Sequence, residues 1–223
     1  MKEYFHFLKI YSIDKKGGLY MPAIMQEMLE ENKELKIVLS EEVYARLSGC
    51  INLCGYNMKD SNNEYGTILY GYKRNDGTIY FEKPSENDDY TPNSKRFKLG
   101  KKMEDELIQH IVSNPKYNCF AHIHTHPYLP KENGGSRFTS IEDINYYKSA
   151  FDFSKNGALS FGGLLTVGGK NTAETDDISF VQYDTETGKM YQIPNIFVSV
   201  DGQEIPLQRV DDEFEINRSK NSF

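Results

Sequence analysis

Ala121-His122-Ile123-His124-Thr125-His126-Pro127 holds three of the five histidines of the chain, at every second position. On an extended strand, residues two apart point to one side. Their Cα atoms then lie roughly 6.6 Å apart, at about 3.3 Å per residue. Imidazoles spaced in this way can converge on one metal ion. Asp143 comes seventeen positions after His126, inside Ser140-Ile141-Glu142-Asp143. Far upstream, Glu64 opens Glu64-Tyr65-Gly66-Thr67-Ile68-Leu69-Tyr70-Gly71. Two histidines and a carboxylate, with a separate glutamate, are the parts of a catalytic zinc hydrolase. Alternation alone does not choose between His122/His124 and His124/His126 as the ligand pair.

Each of these residues also has a plainer reading. An isolated histidine is more often packed or surface-exposed than a ligand, but three in alternation before a proline fit that poorly. Glu64 by itself reads as a solvent-facing residue at a strand edge. Thr139-x-x-Glu142 is a capping box for a following helix, and such a cap would fix the segment that presents Ser140 and Asp143. Tyr146, Tyr147 and Phe151 read as helix core and rim. No partner is evident for His6 or His110.

The elements that must position these residues follow from periodicity and punctuation. Asn118 to His126 reads as a strand ended by Pro127. Tyr65 to Tyr72 and Thr78 to Phe81 read as strands joined across Arg74-Asn75-Asp76-Gly77, a hairpin signal. Leu35 to Leu39 is a short strand, and Ser40 starts a helix with Val43, Tyr44 and Leu47 on one face. Met103, Leu107, Ile108, Ile111 and Val112 mark an amphipathic helix stopped by Pro115. Ile141 to Phe153 reads as a further helix. Leu164 to Val167, Ile178 to Tyr183 and Ile196 to Val200 read as strands, and Gly162-Gly163 and Gly168-Gly169 fit strand ends. Pro22 opens a helix carrying Ile24, Met25, Met28 and Leu29. Residues 1–34 form an N-terminal extension, and 186–223 a C-terminal β extension with a polar tail that frays from Asp211. The sum is mixed α/β (α+β), with a largely antiparallel sheet flanked by helices.

The order Glu … His-x-His-Pro … Ser-x-x-Asp resembles the JAMM (MPN-plus, JAB-domain) metalloproteases over residues 35–185, in a bacterial-type form. The glutamate of that family opens a Glu-x-x-x-x-Leu-x-Gly-like run, here Glu64 … Leu69-Tyr70-Gly71. The resemblance implies a cytidine-deaminase-like fold. It implies zinc held by His124, His126 and Asp143, with water or hydroxide completing the site at a pKa lowered to about 7. Glu64 would take the proton of that water and deliver it to the leaving amine. Ser140 would donate a hydrogen bond to the oxyanion. The implied substrate is a protein or peptide, such as the C-terminus of a ubiquitin-like protein or its conjugate. Apart from the resemblance, the strand edge near Glu64 offers such a tail a place to pair. Sixteen residues separate His126 from Asp143, where the family has about ten. The surplus falls in Tyr128 to Phe138 and reads as a lengthened loop beside the site. The family spacing lands on Arg137, which cannot ligate a metal, so the Ser-x-x-Asp frame selects Asp143, with Glu142 and Glu132 as weaker alternatives.

Composition bounds the function classes. The 223 residues are enough to bury a core without disulfides. Lys+Arg 26 against Asp+Glu 33 gives a net charge of −7, which argues against general affinity for nucleic acid or anionic membrane. Three cysteines, Cys50, Cys54 and Cys119, suggest free thiols in a reducing compartment. With no long apolar run and no signal-peptide pattern, the chain reads as soluble and cytoplasmic. His-x-Glu with Pro-Cys-x-x-Cys, the nucleobase-deaminase signature, is missing, as is His-Glu-x-x-His. Two alternatives to a hydrolase are a non-catalytic MPN-type binding scaffold, disfavoured because every ligand position is filled, and a JAMM-like domain in DNA repair, disfavoured by the charge.

Overall fold

A computed structural model describes residues 12–13, 19–20, 24–25, 30–57, 63–87, 99–126, 138–139, 143, 159–166, 177–184, 187–210 and 213–216. The strands are β1 (Ser12–Ile13), β2 (Leu19–Tyr20), β3 (Ile24–Met25), β4 (Glu30–Glu31), β5 (Lys36–Leu39), β6 (Gly66–Lys73), β7 (Ile79–Pro84), β8 (Cys119–His126), β9 (Phe138–Thr139), β10 (Leu159–Thr166), β11 (Asp177–Tyr183), β12 (Met190–Ile193), β13 (Asn195–Val200), β14 (Gln203–Val210) and β15 (Glu213–Ile216); the helices are α1 (Glu41–Asn57) and α2 (Lys101–Ser113).

Among the described residues, eleven strands join one mixed sheet in the order β15-β14-β13-β5-β7-β6-β8-β10-β11-β12-β4. The arrangement is α+β. β6 runs antiparallel to both neighbours, β7 and β8, whereas β8 and β10 are parallel. β8 therefore lies inside the sheet, and its residues are buried on both faces up to Thr125. Among the described residues, no helix is long and apolar enough to cross a membrane.

Each face of the sheet has its own core. Cys119, Ala121 and Ile123 of β8 join Leu69, Phe81, Phe161 and Phe180 under Val43, Leu47, Cys50, Ile51 and Cys54 of α1. Those helix positions repeat at the three- and four-residue spacing of one face. Ser40 caps α1, its Oγ accepting a hydrogen bond from Val43 N at 3.1 Å and donating one to Glu82 O at 2.8 Å. The cap thus ties the helix start to β7. On the other face, Ile68, Tyr70 and Phe120 pack with Met103, Leu107 and Ile111 of α2. Ile108 and Val112, expected on that apolar face, are 47% and 75% exposed, because α2 meets the sheet along a narrower stripe than its apolar pattern.

The hairpin between β6 and β7 is closed as the sequence predicts. Arg74 N donates to Thr78 O at 2.8 Å, and Gly77 takes φ +88°, a conformation glycine adopts without a Cβ clash. Gly163 differs from its expected place at a strand end, since it lies inside β10, opposite Ile123. A Cβ there would come within 2.7 Å of Ile123 Cγ1, so the glycine serves close packing. Gly168-Gly169 and most of the expected helix 141–153 fall outside the described residues.

Near the N-terminus, Ile24 and Met25 are in a strand, not on the expected helix, and pair with Thr139 and Phe138. Local helix signals yield here to a partner more than a hundred residues away. The stretch after Asp211, expected to fray, contains β15, which pairs with β14.

Candidate metal centre

The site is built at the C-terminal end of β8, where it meets the start of β6. Phe120 on the α2 face of β8 places His122, His124 and His126 on that same face by alternation. Neighbouring ring centres lie 5.7 Å apart for His122 and His124 and 4.9 Å for His124 and His126. The two Nε2 atoms of His124 and His126 approach to 3.1 Å. Asp143 closes the group, with Oδ1 3.4 Å from His124 Nε2 and Oδ2 3.4 Å from His126 Nε2.

Among the described residues, His124, His126 and Asp143 are the histidine, cysteine and acidic side chains whose ligand atoms all lie within 4.8 Å of one another. His122 is not in that group. Glu64 stands beside it, Oε1 4.0 Å from His126 Nε2. Ser140, Glu142 and Glu132 lie outside the described residues.

Burial and charge are matched in this cluster. His124 is 2% exposed and His122 8%. Burial by itself would raise the Asp143 carboxyl, but hydrogen bonds from His124 and His126 outweigh it and hold the group far below the usual carboxylate range. Burial would lower the His124 imidazole, yet the bond to Asp143 and its charge raise it. For His122 the charge of Asp143 is outweighed: burial, then the charge of His124, pushes it down to about 3. It is thus a neutral imidazole behind the cluster. Two imidazole nitrogens and one carboxylate oxygen converging in this way fit zinc, whose catalytic sites use three such protein ligands.

Thr125 was not singled out from sequence. It is fully buried between the two histidines, and its Oγ1 accepts a hydrogen bond from Tyr65 N at 2.8 Å. Thr125 N donates to Tyr65 O at 2.7 Å. The segment that carries Glu64 is therefore held by the strand that carries the histidines. The available signal was a hydroxyl in a strand otherwise buried on both faces, since a buried hydroxyl needs a partner.

On the α1 face a cleft opens beside the same end of β6, lined by Arg46, Gly49, Leu53, Tyr65 and Gly66 among others. Arg46 Nη2 reaches Ser85 O at 3.2 Å. Leu69 pairs with Pro84 at the end of β7, and Ser85 N adds a bond to Ile68 O at 2.7 Å. Gly66 lies past that last rung. In an antiparallel ladder, hydrogen-bonded and non-bonded pairs alternate. The bond from Thr125 to Tyr65 makes the next pair, Gly66 with His124, a non-bonded one. The peptide groups of Gly66 therefore point away from β8, toward the line of β7.

No protein-family model matches the chain, and no curated protein is similar to it. Among solved structures, the solution structure of protein DSY2949 from Desulfitobacterium hafniense is similar at 15% identity, over 73% of this chain and 92% of that one, with a TM-score of 0.43. At that score the likeness carries no argument about this chain.

Proposed function

We propose that the protein is a zinc-dependent peptidase or isopeptidase of the JAMM (MPN-plus) type. The observation that carries this reading is the convergence of His124, His126 and Asp143, with Glu64 4.0 Å from His126. His124, His126 and Asp143 would hold the ion. A zinc ion there supplies Lewis acidity, which acidifies water and polarises a carbonyl oxygen. Glu64 is the proton carrier: its carboxylate takes a proton from the attacking water as the C–O bond forms. It then gives that proton to the amine nitrogen as the C–N bond breaks. Ser140, three residues before Asp143, is the candidate donor to the developing oxyanion.

The substrate proposed is an extended C-terminal tail, as of a ubiquitin-like protein or conjugate. The outward peptide groups of Gly66 and the cleft beside them support it, because a chain laid along the line of β7 would pair with β6 and lead to Glu64. The test is cleavage of fusions that carry such tails by zinc-loaded protein. Glu64→Gln should keep zinc and lose about 10²–10⁴-fold in turnover. Gly66→Pro should keep zinc and abolish cleavage, since proline removes the outward N–H. Unchanged turnover in Gly66→Pro would sink the tail-pairing part alone.

A further inference from the structure

We propose that Thr125 is a positioning residue for Glu64, acting through the main chain of Tyr65. The inference rests on the metal-centre reading above. Extending the register of Gly66 with His124 by one residue sets Tyr65 opposite Thr125. A regular hydrogen-bonded pair there would exchange two main-chain bonds. Only one of them is made in that form, from Thr125 N to Tyr65 O at 2.7 Å. In the other, Tyr65 N donates to the side-chain Oγ1 of Thr125 at 2.8 Å. The hydroxyl replaces a carbonyl at the last rung, and the chain leaves the ladder at Glu64.

The consequence is geometric. Glu64 reaches His126 from a segment sixty residues away in sequence, and one side chain between the two candidate ligands fixes the approach. Thr125 is fully buried and Tyr65 is 7% exposed, so water does not readily substitute for the hydroxyl. A β-branched side chain in a strand also has a restricted χ1, which holds the oxygen in place. Valine would keep the shape and lose the acceptor. The Tyr65 amide would then turn to find another partner and carry Glu64 with it. Small displacements of a reacting group are costly, about 10²-fold for roughly 1 Å.

The experiment reads the metal surroundings directly, without a substrate. Each protein is loaded with cobalt(II), and its visible spectrum and metal content are recorded for wild type, Glu64→Gln, Thr125→Val, Thr125→Ser and the double variant Glu64→Gln/Thr125→Val. We expect Glu64→Gln to shift the bands and Thr125→Val to shift them in the same sense at full cobalt content. We expect Thr125→Ser to return them toward wild type and the double variant to add nothing to Glu64→Gln. On the cleavage probe, Thr125→Val should lose kcat about 10²-fold with KM little changed. A wild-type spectrum in Thr125→Val beside a shifted Glu64→Gln overturns the proposal, as does an additive double variant. If Thr125→Val does not fold, Thr125→Ala takes its place, and a wild-type spectrum there overturns it equally. Absence of cobalt binding by the wild type would instead sink the metal-centre reading itself.

Discussion

Two partly buried carboxylates stand on the same face of the sheet, each with a histidine nearby, in opposite surroundings. Glu106 of α2 accepts hydrogen bonds from Ser85 Oγ at 2.8 Å, Asn87 Nδ2 at 2.6 Å and Glu86 N at 3.2 Å. Its histidine, His110, lies 3.9 Å away with its ring 4.3 Å from that of Tyr70. Asp143 instead meets two imidazoles whose Nε2 atoms are aimed at one point. Both carboxyls are lowered against the pull of burial, Glu106 by neutral donors and Asp143 by the histidines. Neutral donors that saturate a carboxylate anchor a helix to a loop. Convergent imidazoles leave a place that a dication can take. The contrast separates a structural carboxylate from a candidate ligand where burial alone does not.

The sharpest break of this comparison is to remove each carboxylate in turn. Asp143→Ala should reduce zinc from about one per chain to none, with the same loss in His124→Ala and His126→Ala. Glu106→Ala should keep its zinc and lose roughly 1–3 kcal/mol of stability, because it strands the donors of Ser85 and Asn87. Metal analysis and denaturant unfolding read the two effects. Equal zinc loss in both would erase the distinction.

The two clusters should also differ in the sign of their pH dependence. His124 is raised in the folded, metal-free protein. Its contribution is therefore complete below its unfolded value, about 6.5, and is lost as pH rises through the folded value. Glu106 is lowered, so its contribution is present above the ordinary glutamate value of about 4.3 and is lost as pH falls through the folded value. Thermal unfolding of chelated protein should show stability falling as pH rises past about 6.5. Asp143→Asn should flatten that slope and Glu106→Gln should leave it. With zinc present the slope reverses, because the ligands must shed protons to bind.

The smallest effect tests the strand face itself. His122→Ala should leave zinc content largely intact, since His122 is outside the group of close ligand atoms. Zinc loss equal to that of His124→Ala would reassign the ligand pair to His122 and His124.

Much of the scaffold was legible because its signals are local. The Ser40 cap, the Arg74–Gly77 turn and the apolar spacing of α1 each depend on neighbours within about four residues. What was misread depends on distant partners. Ile24 and Met25 joined a strand because Phe138 and Thr139 were there to pair with. Gly163 is needed because Ile123 packs over it. His110, with no evident partner in the sequence, meets Tyr70 of β6 through the docking of α2, while Glu106 stands one turn before it on the same helix.

By itself the sequence determined that His122, His124 and His126 share one face of a strand, because a two-residue period is a local property of extended backbone. It also determined the chemical types on offer, with Glu64 and Asp143 as candidates. Only the tertiary structure decided that His124 and His126, not His122, approach Asp143, and that Glu64 arrives beside His126. Those distances span seventeen and about sixty residues of chain. The pairing of β6 with β8 brings the second about, and the partners in both lie too far apart along the chain for any local pattern to join them.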